Sequence, residues 1–177
     1  MILVGLLLLG SNVIYALPPG RTLTSTSRQF IVSSAVNQGS TPGITRANLP
    51  TDFVQLTPGR LVLVADRVKT IFLRQLQTPD NWNGGIRLHL EPGHGHTTIK
   101  STRYTDGWQY HAVVPEHIRA INLVRVLTDL LLAERTERYS TSKIEVPLWL
   151  RVGLAEIIQR KAGSGLFAPQ NTPVVFQ

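Results

Sequence analysis

The stretch VPLWLRVGLAE, residues 146–156, continues as IIQRK to residue 161. Pro147 lies near its start, where a missing N–H leaves no helical hydrogen bond unmade. Arg160 and Lys161 fall at the negative end of the dipole, and Gly163 follows as a stop. The pattern predicts a helix over 146–161, in which Trp149, Leu150 and Leu154 would form an apolar stripe facing a core.

Upstream, PEHIRAINLVRVLTDLLLAERTER (115–138) reads as the longest helix, opened by Pro115. Its stripe is Ile118, Ile121, Val124, Leu127 or Thr128, and Leu131, widened by Leu130 to Leu132. GIRLHLEP (85–92) alternates Ile86, Leu88 and Leu90 with Arg87, His89 and Glu91, the period of a half-buried strand. TTIKSTRYT (97–105) and GWQYHAVV (107–114) read as two further strands, with Asp106-Gly107 as a hairpin link. LTPGRLVLVADRVKTIFLRQLQ (56–77) is a helix capped by Thr57, with Pro58 in its first turn. Leu61, Val64, Val68, Ile71 or Phe72, and Leu76 make its stripe. RQFIVSSA (28–35) is a strand, and residues 36–53 form a long loop of turn formers. The order is strand, helix, three strands, two helices. It predicts an α+β domain over 29–162, a small, mostly antiparallel sheet packed against three helices.

Apolar residues make up 42% of the 177-residue chain and charged ones 16%, a balance that folds rather than stays disordered. Residues 1–9 are apolar apart from Gly5, too short a run to span a bilayer. With Ala16 as a cleavage point they read as a signal peptide over 1–16, followed by a Pro/Ser/Thr linker over 17–28. The expected location is therefore secreted or periplasmic, with no integral membrane segment left after removal of the leader. Residues 163–177 lack a pattern and read as an irregular tail, the end of a truncated domain. The chain has no cysteine, which excludes thiol catalysis and cysteine-ligated metal. Its net charge of +7 is scattered, and arginines are not interleaved with aromatics as in a single-strand nucleic-acid binder. An anionic envelope polymer or another envelope protein is the expected kind of partner.

Pro147, Trp149, Leu150, Gly153, Ala155 and Glu156 stand at the spacing Pro-x-Trp-Leu-x-x-Gly-x-Ala-Glu. This resembles the second motif of the gluzincin-type zinc metallopeptidases, the peptidase-MA-like group. In that family it follows a small sheet and a helix bearing H-E-x-x-H. The resemblance covers residues 28 to 160 and implies a metallopeptidase-like core. It also implies where a zinc site would lie, and this chain departs from the pattern there. The third ligand, a Glu before the Gly, is replaced by Val152. No H-E-x-x-H occurs, and no two of the five histidines are four apart. The register of the family puts Thr128 and Leu132 at the two His positions and Asp129 at the catalytic Glu. A register shifted by one puts Asp129 and Ala133 at the His positions. Thr128, Leu132 and Val152 offer zinc none of the nitrogen, thiolate or carboxylate donors it takes. Asp129 is a relict acid with three readings: facing solvent, paired with Arg125 one turn earlier, or left as an isolated polar spot.

Other chemistry is sparse. His94 and His96, in a Gly-rich loop near His89 and Glu91, are candidate ligands for a surface metal. No G-x-S-x-G elbow and no phosphate-cradling glycine motif occurs. Glu134 and Arg138, four apart, read as a helix-surface ion pair. Trp108 and Tyr110 share one strand face and read as a cap on the core, with an aromatic ligand platform as the alternative. No catalytic residue and no cofactor emerges. The expectation is a non-catalytic envelope module of degenerate metallopeptidase-like fold. The alternatives are a hydrolase with an unrecognised site and a basic interaction domain.

Overall fold

A computed structural model describes residues 22–34, 50–82 and 85–168. The leader, most of the 36–53 loop and the tail beyond residue 168 lie outside the described residues. Six strands, β1 (Thr22–Thr24), β2 (Phe30–Ser34), β3 (Phe53–Gln55), β4 (Ile86–His94), β5 (Thr98–Tyr104) and β6 (Gly107–Arg119), form one sheet. Three helices, α1 (Pro58–Leu76), α2 (Ala120–Glu137) and α3 (Leu148–Ala162), pack with it, and a 3₁₀ turn (Gly163–Phe167) closes the described chain. The class is α+β.

The sheet is mixed, and its centre is parallel. β4 lies between β2 and β6 and runs parallel to both. β1 pairs antiparallel with β2, and the far edge of β6 is shared by β5 and then β3, both antiparallel. The expected mostly antiparallel sheet is thus mixed: three of its five described pairings are antiparallel, the two that β4 makes are parallel, and the reason these were not foreseen is physical. Parallel strands are usually buried on both faces and lack alternation. Here one face lies under the helices while the other stays open, so a parallel β4 carries the alternating signature of an antiparallel strand. Its buried residues Ile86, Leu88 and Leu90 stand beside Phe30, Val32 and Ser34 of β2 and Tyr110, Ala112 and Val114 of β6. Those rows are the floor of the core.

α1 starts as its cap requires: the Thr57 hydroxyl accepts from the Arg60 N–H at 3.2 Å, and Pro58 opens the helix. Its buried stripe is Leu61, Val64, Ala65, Val68, Phe72 and Leu73, while Leu76 at the end is 37% exposed. α2 begins five residues later than expected, because Pro115 to Arg119 remain in β6. Proline also restrains the residue before it from helical geometry. Pro115 falls in the gap between the stretch of β6 paired with β5 and the stretch paired with β3. The hairpin loop is Thr105-Asp106, since Tyr104 pairs with Gly107, whose φ of +129° suits glycine. Residues 22–24, read as linker, form β1, and Phe53, read as the end of the loop, starts β3 with Val54 and Gln55; three residues each are too few to show a period.

α3 departs from the expected stripe at its first turn. Leu154, Ala155 and Ile158 are buried, but Leu148 and Trp149 are 68% and 75% exposed. The Glu134–Arg138 pair departs the other way. It is buried, with side-chain exposures of 2% and 8%, and held by a bidentate fork at 2.8–3.0 Å. Gly153 is not demanded by packing, because a Cβ there would meet nothing within 4 Å. Gly153→Ala should therefore stabilise the chain by about 0.5–1 kcal/mol through helix propensity, read by urea unfolding.

Candidate functional site

The ladder carries the core rows outward to β5. Ser101 stands opposite Tyr110 and Ile99 opposite Ala112, so both lie on the helix side of the sheet. Ile99 is nevertheless 41% exposed, because the row runs out beneath a cleft of about 570 Å³. One wall is β5 with Tyr110 of β6 behind it; the other is α2, with residues 143–146 and Arg151 of α3 at the rim. α2 presents Asp129, Ala133 and Glu137 to this space, at the four-residue spacing of one helix face. Leu132 stands beside them.

Asp129 is not free, and its partner is not Arg125. The Arg151 guanidinium grips it as a fork, Nε donating to Oδ1 at 2.8 Å and Nη2 to Oδ2. Arg125 instead lies 3.8 Å from Glu156 of the sequence motif. Both pairs tie α2 to α3, but the second is exposed on both sides and adds little. The hydrogen bond it donates to Asp129 holds the Arg151 pKa above its ordinary value, against the effect of burial, and the Asp129 and Glu145 charges add to it.

The residues at the ligand positions implied by the resemblance do not fit a zinc ion. Thr128 is fully buried and absent from the cleft lining, Leu132 is a hydrocarbon wall, and Val152 is half-buried. The helix face that lines the cleft carries Asp129 and Ala133, the register shifted by one, and Asp129 is already neutralised by Arg151. Among the described residues no group of three or more His, Asp or Glu side chains is placed to hold a metal. The weak surface-metal candidates are arranged differently from the sequence reading. His94 stacks on His117, ring centroids 5.0 Å apart, and meets the Phe53 edge at 6.2 Å, while His96 sits exposed in the following loop.

Sequence reasoning missed Glu137. It is fully buried and lines the cleft, with the Ile144 N–H and the Tyr110 hydroxyl as its polar neighbours. Burial pushes its pKa up, against weaker downward pulls from the Ile144 N–H, the Lys143 charge and the Tyr110 hydroxyl. Tyr110, whose hydroxyl donates to the Ala133 carbonyl at 3.3 Å, is itself pushed up by burial and by the Glu137 and Glu134 charges. The available signal was the spacing Asp129, Ala133, Glu137, with one small residue between two acids. Trp108 was read correctly as a core cap: it packs on the core and donates from Nε1 to the Ser140 carbonyl at 3.0 Å.

Compared with known proteins, the chain matches no family model, no curated protein and no solved structure.

Arg151→Ala leaves a mostly buried Asp129 without its partner and should cost about 1–2 kcal/mol. A double-mutant cycle with Asp129→Ala should return about 0.5–1 kcal/mol of coupling, since Arg151 is partly exposed. Zero coupling in urea unfolding would mean that the fork does not hold the helices. Glu137 has the opposite character. Its folded pKa lies above the ordinary 4.5, so stability is undiminished below that value and falls as pH rises towards and through the raised one. Glu137→Gln removes this loss. The stability difference, variant minus wild type, should widen from pH 4 to pH 7; a flat difference would show that the carboxyl is not desolvated.

Proposed function

We propose that this protein is a non-catalytic binding module with a degenerate peptidase-MA-like core, and that its cleft takes an extended peptide segment. The observation that carries the reading is the fork between Arg151 and Asp129 beside an edge strand. Where the resemblance would place a metal and its base, a guanidinium already satisfies Asp129, the one acid at those positions. What the opposite wall offers is a strand edge. β5 is paired to β6 along one side, and no described strand pairs its other side. Main-chain groups on such an edge accept an added strand, and alternate side chains beside the cleft supply selectivity.

Paired-carboxylate hydrolysis gains no support from the α2 wall. Asp129 and Glu137 are two helical turns apart, about 12 Å along the axis at 1.5 Å per residue. Inverting glycosidases hold their pair about 6.5–9.5 Å apart. A basic docking face gains little either. Lys69, Arg135 and Arg138 gather round Trp82, but Lys69 pairs with Asp80 at 2.8 Å, Arg138 with Glu134, and Arg135 donates to the Pro79 carbonyl. An exported or envelope setting belongs to the proposal and rests on the apolar opening segment.

Peptides selected by display against the full chain should slow hydrogen exchange at the amides of residues 98–104. Zinc added to the full chain should give neither one-to-one tight binding nor peptide hydrolysis. Selected peptides that protect another surface, or tight zinc accompanied by turnover, overturn the reading.

A further inference from the structure

The cleft lies on the helix side of the sheet, and the other side carries a row of cations. Arg87 stands between the buried Ile86 and Leu88, and His111 between the buried Tyr110 and Ala112, so both point away from the helices. The ladder pairs Arg87 with His111 and His111 with Lys100, one residue each from β4, β6 and β5 in a line across the strands. At the usual strand spacing, Arg87 and Lys100 flank His111 at about 4.8 Å on either side, backbone to backbone. Both cations are exposed, and His111 is half-buried between them. Burial lowers the His111 pKa, and the Arg87 and Lys100 charges lower it further. Lys69, Arg135 and Arg138, round Trp82, are each spent on an oxygen of the chain. Among the described residues, neither Arg87 nor Lys100 is in an ion pair. The first acid on this face of β4 is Glu91, four residues beyond Arg87 and about 13 Å along the strand.

Two such cations beside a neutral imidazole offer a fixed double charge and a third donor. A single carboxylate would be satisfied by the Arg87 fork and would leave Lys100 unmatched. A phosphodiester carries one charge and two free oxygens. A phosphate monoester carries close to two charges and three free oxygens, which matches the row. We propose that Arg87, His111 and Lys100 form a site for the dianionic phosphate of a monoester on the open face of the sheet. Arg87 and Lys100 donate from either side and the His111 N–H from between them. The ester oxygen points away from the face, where the exposed flanking residues leave room for the rest of the molecule. The site lies across the sheet from the cleft and goes beyond the peptide reading. It is coupled to a proton. The groups facing His111 are Arg87 and His89 of β4 and Lys100 of β5, while β2 brings only the uncharged Ile31 and Ser33 to the same rows. A bound dianion offsets the two charges that disfavour the protonated ring, so the His111 pKa rises in the complex. By reciprocity, affinity for a dianion rises as pH falls through that range.

The test is an NMR titration of the full labelled chain at low salt with methyl phosphate, and with dimethyl phosphate as the singly charged diester. Methyl phosphate should shift the His111 imidazole and the Arg87 amide saturably. It should bind at least about tenfold tighter than the diester, because its second charge meets two cations. Arg87→Gln and Lys100→Gln should each weaken it about threefold or more, as loss of a charge-assisted hydrogen bond implies, with the rest of the spectrum in place. Arg74→Gln, which removes the same charge from α1, should leave it unchanged. Sulfate stays doubly charged where histidine titrates and carries the pH arm. Its affinity should rise from about pH 8 to about pH 5, and saturating sulfate should raise the His111 pKa. His111→Gln should remove most of that rise. Several results would each overturn the site: no saturable binding, equal affinity for monoester and diester, or shifts confined to another surface. A loss on Arg74→Gln as large as that on Arg87→Gln would do so too, by assigning the binding to net charge alone. So would a His111 pKa that sulfate does not move, or a pH dependence that survives His111→Gln.

Discussion

α2 is apolar almost all the way round, and the rest of the fold follows from the need to cover it. Leu123, Val124, Val126, Leu127, Leu130, Leu131 and Leu132 are all buried, and they leave only a narrow strip that includes Asn122 and Arg125 open to water. One sheet cannot cover such a helix. α2 packs on β6 and is flanked by α1 and α3, which also touch each other. The three acids of α2 are then placed where solvent does not easily reach them, and each one needs a partner. Asp129 finds one in α3, Glu134 finds one in the next turn of its own helix, and Glu137 has only the Ile144 N–H and the Tyr110 hydroxyl.

Those three acids explain why the fold was more legible than the site. The local signals were reliable where the chain itself carries the constraint. Thr57 and Pro58 set the start of α1, the alternation of Ile86, Leu88 and Leu90 marks β4, and Gly163 ends α3 with a φ of +53°. What failed was non-local. Strand direction is settled by which edge of β6 is free to take β4, β5 and β3, and no property of 86–94 encodes it. Pro115 is a good helix opener by composition, yet β3 and β4 hold residues 117–119 extended. The acids were harder still. A Glu four residues before an Arg on a helix reads as a surface pair, and only the packing of α2 into the core makes Glu134 and Arg138 a buried one. The partner of Asp129 comes from residue 151, beyond the reach of helical spacing.

The resemblance to the metallopeptidase motif acquires a different physical content from these contacts. Of its matching positions, Ala155 is fully buried, Leu150 is half-buried, and Trp149 stands out in solvent. Glu156 reaches towards α2 from an exposed position. The residue with the clearest structural role lies between motif positions. Arg151 places a fixed positive charge against the acid of α2, which is electrostatically what a cation would do there. It does so without an open coordination position, so the arrangement tethers two helices and activates no water. Buried ion pairs of this kind contribute little net stability compared with a hydrocarbon replacement, so the fork is better understood as fixing how α3 lies on α2.

Glu137 has no such structural return. A hydrocarbon of similar length would fill the same volume without desolvating a carboxyl, and the neighbouring residues Leu130, Leu131 and Leu132 show that this helix readily carries hydrocarbon. Local rules are most often broken where a protein binds or reacts with something. The cost here falls on one group that lines a cleft, beside the Tyr110 phenol. A proton relieves that cost, which is why burial raises the Glu137 pKa and why the fold is better off with this carboxyl protonated.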